Sequence, residues 1–94
     1  MMNDIDLEFR VRTAFAKGRN IVYYRLNDER QRATYMHILR EFRKSLVGLI
    51  SELPKENRYR TFFIELTKII KSKVTENECD DTILKMKGLY EKGI

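Results

Sequence analysis

Residues 28–53 place an apolar side chain at every third or fourth position, and this spacing constrains the fold more than any other feature. Intervals of 4-3-4-3-4 put side chains on one face of a long α-helix. The members of this stripe are Tyr35, Leu39, Phe42, Leu46, Leu49 and Leu53. Asn27 or Asp28 can cap such a helix, and Pro54 ends it. A helix with so continuous an apolar face must pack against other helices.

Residues 57–73 and 76–92 have the same periodicity. Their stripes are Tyr59, Phe63, Leu66 and Ile70 in the first segment, and Cys79, Ile83, Met86 and Tyr90 in the second. Thr75 and Glu78 have the spacing of a capping box, which begins a helix, and Gly93 can end it. Because the connectors are short, neighbouring helices should be antiparallel. We therefore predict an all-α fold in which residues 28–94 form an antiparallel three-helix bundle of about 28–53, 57–73 and 76–92.

Residues 1–27 allow two interpretations. Every second residue from Ile5 to Val11 is apolar and the residues between are charged, which is the period of a strand, so a turn around Gly18 could close a hairpin. As a helix, the segment would have a polar N-terminal cap and would end at Gly18. An isolated hairpin is marginally stable in water, so we favour a basic N-terminal helix or arm ahead of the bundle.

The positive charge is concentrated in one part of the chain. The net charge is +5, and residues 10–44 hold ten basic residues, eight of them Arg, against three acidic ones. Such a region suits an acidic protein, a phosphate backbone or an anionic membrane surface, and a solvated helix face is the simplest interpretation. Residues 9–27 contain no acidic residue, which is also typical of a mitochondrial import segment. The basic residues of this arm are Arg10, Arg12, Lys17, Arg19 and Arg25.

Few residues could support catalysis or bind a metal. His37 is the single histidine and Cys79 the single cysteine, so a Cys/His zinc site and an internal disulfide are excluded. His37 lies on the basic stripe of its helix, and Cys79 lies on an apolar stripe, where a buried structural cysteine is expected. No apolar run approaches the ~18 residues of a transmembrane helix. We predict a protein that is not an enzyme and that binds no metal or cofactor of its own.

Residues 38–93 resemble the LYR-motif family, small three-helix proteins that serve mitochondria as accessory subunits and assembly factors. Glu41-Phe42-Arg43-Lys44-Ser45-Leu46 stands where the family has its Leu-Tyr-Arg motif, and Leu53-Pro54 corresponds to the connector. Asn57-Arg58-Tyr59-Arg60-Thr61 opens the second helix, and Thr75-Glu76-Asn77-Glu78 opens the third. The sequence departs from the motif at its first two positions, where Glu replaces Leu and Phe replaces Tyr.

The resemblance implies a non-catalytic accessory subunit of a mitochondrial assembly on the matrix side of the inner membrane, with a respiratory-chain complex as the first candidate. Members of the family commonly dock an acyl carrier protein. Its acidic helix meets basic side chains, and its acyl chain, carried on phosphopantetheine, enters the bundle. The residues that match the acidic contact are Arg40, Arg43 and Lys44, and those that match the lipid-facing core are Phe42 and Leu46. The N-terminal arm would extend onto neighbouring subunits.

A nucleic-acid-binding helical protein, such as a ribosomal subunit or a small regulator, is the alternative. The Arg-rich region and the neighbouring Tyr23 and Tyr24 are its basis, because arginine contacts phosphates and aromatic rings stack on bases. Binding to phosphates would weaken steeply as the salt concentration rises.

Overall fold

The computed structural model describes residues 4–24 and 32–94, and within these ranges it is all-helical and contains no strand. The elements are α1 (Asp4–Tyr23), α2 (Arg32–Glu52), α3 (Arg58–Ile69) and α4 (Cys79–Lys92), with a 3₁₀ turn, Glu76–Glu78, leading into α4. The prediction of an all-α fold is confirmed. The predicted start of the second segment, with Asn27 or Asp28 as its cap, lies outside the described residues.

The stripe of α2 forms the centre of the core. Leu39, Phe42 and Leu46 are fully buried, and Leu49 and Leu53 nearly so. The next helix contributes Phe62, Phe63 and Leu66, and α4 contributes Cys79, Ile83 and Met86. The apolar periodicity therefore identified the buried faces of these three helices, because each face must be covered by the others.

α3 is shorter than the sequence indicates. The predicted end at residue 73 is wrong, since α3 ends at Ile69 and Ile70 has extended backbone angles. In a continued helix the carbonyl of Thr67 would accept from the amide four residues later. Here the guanidinium of Arg43 donates to that carbonyl at 3.3 Å, and Arg40 donates to the carbonyl of Val74 at 2.9 Å. Two arginine side chains of α2 thus donate hydrogen bonds to backbone carbonyls at the end of α3 and in the connector that follows it.

α1 is a helix, not a hairpin, and it passes through Gly18 without ending there, so the predicted end at that glycine is wrong. Gly18 is a point of close approach between helices. A Cβ atom added to it would overlap the hydroxyl oxygen of Tyr90 and lie 2.9 Å from Cζ of Phe42. The N-terminal region contributes Val11 and Ile21 to the same core as the other helices, so it packs within the globule and does not project as an arm.

An aromatic cluster joins α1 to the third and fourth helices. The ring of Phe15 lies 5.8 Å from Tyr59, 5.2 Å from Phe62 and 5.0 Å from Tyr90, measured between centroids. The hydroxyl of Tyr90 donates a hydrogen bond to the backbone carbonyl of Phe15 at 2.8 Å. Burial raises the pKa of the Tyr90 phenol, and the charge of Arg19 opposes this only in part. The phenol therefore remains a hydrogen-bond donor at any ordinary pH.

The predicted capping box before α4 is confirmed. The backbone amide of Thr75 donates to Oε1 of Glu78 at 3.1 Å. Lys71 forms an ion pair with the same carboxylate at 2.6 Å. Hydrogen bonds from Lys71 and Thr75 lower the pKa of Glu78 to about 2. At its other end α4 stops at Gly93, as predicted, where φ is +81° and only glycine is relaxed.

Candidate partner-binding surface

One exposed side of the α2–α3 pair combines arginines with apolar side chains. Arg40, Arg43 and Val47 are three and four residues apart on α2, and Arg60 and Ile64 are four apart on α3, so each set forms a row along its helix. The bond from Arg43 to the carbonyl of Thr67, which is on the same face as the second row, brings the rows together. We call these five residues the arginine flank.

Two arginines of the flank are held in fixed positions. Nε of Arg40 donates to the Val74 carbonyl and Nε of Arg43 donates to the Thr67 carbonyl, and both side chains are half-buried. Within residues 4–24 and 32–94 no acceptor is bonded to their terminal nitrogens. Each guanidinium is therefore held by the protein itself, in the planar geometry that suits carboxylates and phosphates.

Arg60 is the third arginine of the flank. Its Nε is shielded from solvent and has no hydrogen-bond acceptor in the described part of the chain. A buried donor without an acceptor costs on the order of 1–3 kcal/mol. Arg60 is not among the site residues predicted from the sequence. Its position four residues before Ile64, off the apolar stripe of α3, was the signal that could have identified it.

The flank also carries apolar surface and no acidic side chain. Val47 is 48% exposed, and Ile64 is half-buried and does not belong to the apolar core. The neighbouring positions on the two rows, Met36, Ser51 and Thr67, are uncharged. Arginines around a small apolar patch, without competing carboxylates, are suited to a partner that presents acidic groups beside an apolar side chain.

The structure separates the other residues predicted to bind a partner. Lys44 is exposed and forms an ion pair with Glu41 at 3.3 Å. Phe42 and Leu46 have no exposed surface at all. They are core residues of the closed bundle, so an acyl chain could contact them only after neighbouring helices moved apart. Of the five residues predicted, only Arg40 and Arg43 belong to the flank.

The basic residues of the N-terminal region do not form one surface. Arg10 pairs with Glu52 of α2, and Arg12 pairs with Glu8 one turn earlier at 2.6 Å. Lys17 and Arg19 are exposed. Arg25 lies outside the described residues. The local excess of charge in the sequence is therefore partly offset by ion pairs within α1 and between α1 and α2.

The single histidine and the single cysteine are the side chains most suited to catalysis or metal binding. His37 is exposed, whereas Cys79 is buried, as expected, and its thiol donates to the carbonyl of Thr75 at 3.4 Å. No group of three or more His, Cys, Asp or Glu side chains in the described ranges could hold a metal ion. None of the helices in these ranges is long and apolar enough to cross a membrane.

In the part of the chain that the structure describes, two open grooves border α1. The larger, of about 410 Å³, lies between the start of α1 and the α2–α3 connector, and its wall includes Arg12, Arg58 and Tyr59. The smaller, of about 240 Å³, separates α1 from α2 next to Phe9 and Leu49.

Comparison with family models, with curated proteins and with solved structures finds no match to this chain.

Proposed function

We propose that this protein is a non-catalytic helical subunit that binds an acidic protein partner through the arginine flank. The observation that carries the proposal is the geometry of Arg40 and Arg43. Each uses Nε to hold a backbone carbonyl, which fixes the position of a half-buried guanidinium group before any partner binds.

Arginine side chains that are held in place before binding increase the affinity for an acidic partner. A free arginine side chain loses on the order of 2 kcal/mol of conformational entropy when it is immobilised, and part of that loss has already occurred here on folding. A carboxylate that approaches the flank meets guanidinium groups at fixed positions, and charge-assisted hydrogen bonds of this kind are stronger than neutral ones. The net charge of +5 also accelerates the encounter with an acidic partner.

A protein partner fits the flank better than a nucleic acid does. Val47 and Ile64 place apolar surface between the arginines, and a phosphate backbone offers nothing apolar to cover them. The exposed tyrosines that could stack on bases, Tyr23 and Tyr24, lie at the end of α1 and not on the flank. Nucleic-acid binding is accordingly an outcome that the experiment must exclude.

Our proposal for where the protein acts, and for which partner it binds, rests on the resemblance to the LYR-motif family. We place the protein in a mitochondrial assembly, a respiratory-chain complex first, with an acyl carrier protein as one acidic partner. Docking of its acidic helix on the arginine flank requires no change in the bundle. Insertion of an acyl chain against Phe42 and Leu46 requires the helices to separate, since both side chains are fully buried.

Affinity capture with a matched pair of variants tests the proposal. The tagged full chain is used to recover bound proteins, which are identified by mass spectrometry and then titrated individually. Val47→Asp introduces a carboxylate into the flank at an exposed position, and Leu84→Asp introduces one at a 66% exposed position on α4. An acidic partner should lose affinity for the first variant by about tenfold or more and keep its affinity for the second.

Two results would contradict the proposal. One is a recovered partner that binds both variants equally well. The other is retention on RNA or DNA with a steep salt dependence and without any acidic protein, which would establish the nucleic-acid alternative.

A further inference from the structure

The larger groove beside α1 has apolar surface on two sides. It lies between the first turns of α1 and the start of α3, and its volume of about 410 Å³ falls within the range of small-molecule sites. α1 contributes Leu7 and Val11 to its lining, and the other side contributes Pro54 and Tyr59. An apolar group that entered the groove would therefore be covered from both sides.

Tyr59 forms a fixed wall of this groove. The centroid of its ring lies 5.8 Å from that of Phe15 and 6.2 Å from that of Phe63, and the guanidinium carbon of Arg58 lies 5.4 Å from the same centroid. The side chain is half-buried. Because these neighbours already hold the ring, little further ordering of this wall is needed when a ligand binds.

The charges that line the groove leave one cation uncompensated. Nη2 of Arg12 donates to Oε1 of Glu8 at 2.6 Å, so these two charges offset each other. Arg58 is exposed, and within residues 4–24 and 32–94 it has no hydrogen-bond acceptor and no ion-pair partner. Its planar guanidinium group has the geometry that suits a carboxylate.

The backbone at the start of α3 is already hydrogen-bonded. The amide of Tyr59 donates to Oδ1 of Asn57 at 2.9 Å, and the amide of Arg60 donates to the carbonyl of Asn57 at 3.1 Å. An anion in the groove must therefore be recognised by side chains, and Arg58 is the one that is suited to it.

We infer that this groove binds a small monocarboxylate with an apolar body. The carboxylate pairs with Arg58, and the apolar body lies against Leu7, Val11 and the ring of Tyr59. One negative charge balances the one uncompensated positive charge. A phosphate dianion would bring a second negative charge close to Glu8, which is why a monocarboxylate fits the lining better.

This site goes beyond the proposed function and does not depend on it. None of the five residues of the arginine flank lines the groove. Removal of the Arg58 charge therefore leaves the flank intact, and Val47→Asp leaves the groove intact.

Titration of the ¹⁵N-labelled full chain with benzoate near neutral pH tests the inference by NMR. Benzoate should bind with a dissociation constant in the millimolar range, as expected for so small a ligand. The largest shifts should fall on the amides of residues 7–12 and 57–59. Benzamide has the same size without the charge, and acetate has the charge without the ring. Each should bind at least about tenfold more weakly than benzoate, because each lacks one of the two interactions.

A matched pair of variants tests the role of Arg58. Arg58→Gln should raise the dissociation constant of benzoate by about fivefold or more, since it removes the uncompensated charge. Lys73→Gln makes the same change in charge at an exposed position outside the groove and should leave the constant within about twofold of the wild type. Circular dichroism verifies that both variants keep their helices.

Three results would overturn the inference. The first is benzoate binding that does not saturate or that shifts amides away from the groove. The second is equal binding of benzoate and benzamide, which would show that the carboxylate is not recognised. The third is an Arg58→Gln variant that binds benzoate as well as Lys73→Gln does. None of these results bears on capture of an acidic partner by the flank.

Discussion

The two faces of α1 each carry a phenylalanine, and the two rings differ in how they are packed. On the inner face, Phe15 contacts aromatic rings of two other helices, and Gly18 lets α1 approach Tyr90 and Phe42 so closely that no larger residue is accommodated. On the outer face, Phe9 is 70% exposed and the surface is open. Shape complementarity, and not apolar character alone, decides which face of this helix belongs to the core.

The largest difference between the faces should appear when a phenylalanine is removed from each. Phe15→Ala removes a ring from the aromatic cluster and leaves a cavity, so we expect a loss of about 3 kcal/mol in the free energy of unfolding. Phe9→Ala should change it by no more than about 0.5 kcal/mol. Urea denaturation measures both losses. Equal losses would show that the two faces are not distinct.

A smaller effect is expected from adding a single methyl group on the inner face. Gly18→Ala forces the new Cβ against Tyr90 and Phe42, which should cost about 2 kcal/mol of stability through overpacking. Gly88→Ala is the matched control, because no atom lies within 4 Å of its added Cβ and alanine favours the helix, so it should stabilise the protein by up to about 1 kcal/mol. Thermal denaturation compares the two. A stabilising Gly18→Ala would show that α1 does not approach this closely.

Removing the hydroxyl oxygen of Tyr90 should lower the stability by a still smaller amount. Tyr90→Phe deletes the donor to the Phe15 carbonyl and should cost about 1 kcal/mol. The same oxygen is the nearest obstacle to a side chain at Gly18. The double variant Gly18→Ala/Tyr90→Phe should therefore be more stable than the sum of the single losses predicts, and a double-mutant cycle measures this coupling. Strict additivity would contradict the proposed contact.

The smallest effect should come from a surface pair remote from both faces. The pKa of Glu78 is lowered from 4.5 to about 2 by hydrogen bonds from Lys71 and Thr75. Its ionised form therefore stabilises the fold above pH 4.5, and this contribution is lost as the pH falls toward 2. Glu78→Gln should be less stable than the wild type at pH 6, with a difference that shrinks between pH 4.5 and 2. Melting temperatures of both proteins over this range provide the measurement. A difference independent of pH would contradict this assignment.

The stripes at intervals of three and four were sufficient to predict the helical class, because burial of one face dictates that spacing. The capping box at Thr75 and the end at Gly93 were also predictable, since they depend on neighbouring residues alone. Gly18 was misinterpreted as a helix end, because the close approach of Tyr90 comes from a residue 72 positions later. The end of α3 at Ile69 was missed for a similar reason, since arginines of α2 complete it.

In the candidate site, too, local features were predictable from the sequence and features that depend on distant residues were not. Arg43 was predicted from its place in the LYR-like segment and Arg40 from its place just before it, whereas the hydrogen bonds that hold them join distant parts of the chain. Arg60 was missed because only the packing of α3 on α2 makes its Nε a shielded donor. Phe42 and Leu46 were assigned to a lipid-facing role, and sequence alone does not distinguish a closed core from one that opens.

The bond between Tyr90 and the Phe15 carbonyl has a consequence for the order in which the chain folds. It joins residues 75 positions apart, whereas α2 and α3 are joined by a short turn and can pair early. The seam between the first and last helices is therefore expected to close after the rate-limiting step. Substitutions there, Tyr90→Phe included, should accelerate unfolding and leave the refolding rate almost unchanged, so this seam governs the lifetime of the native state.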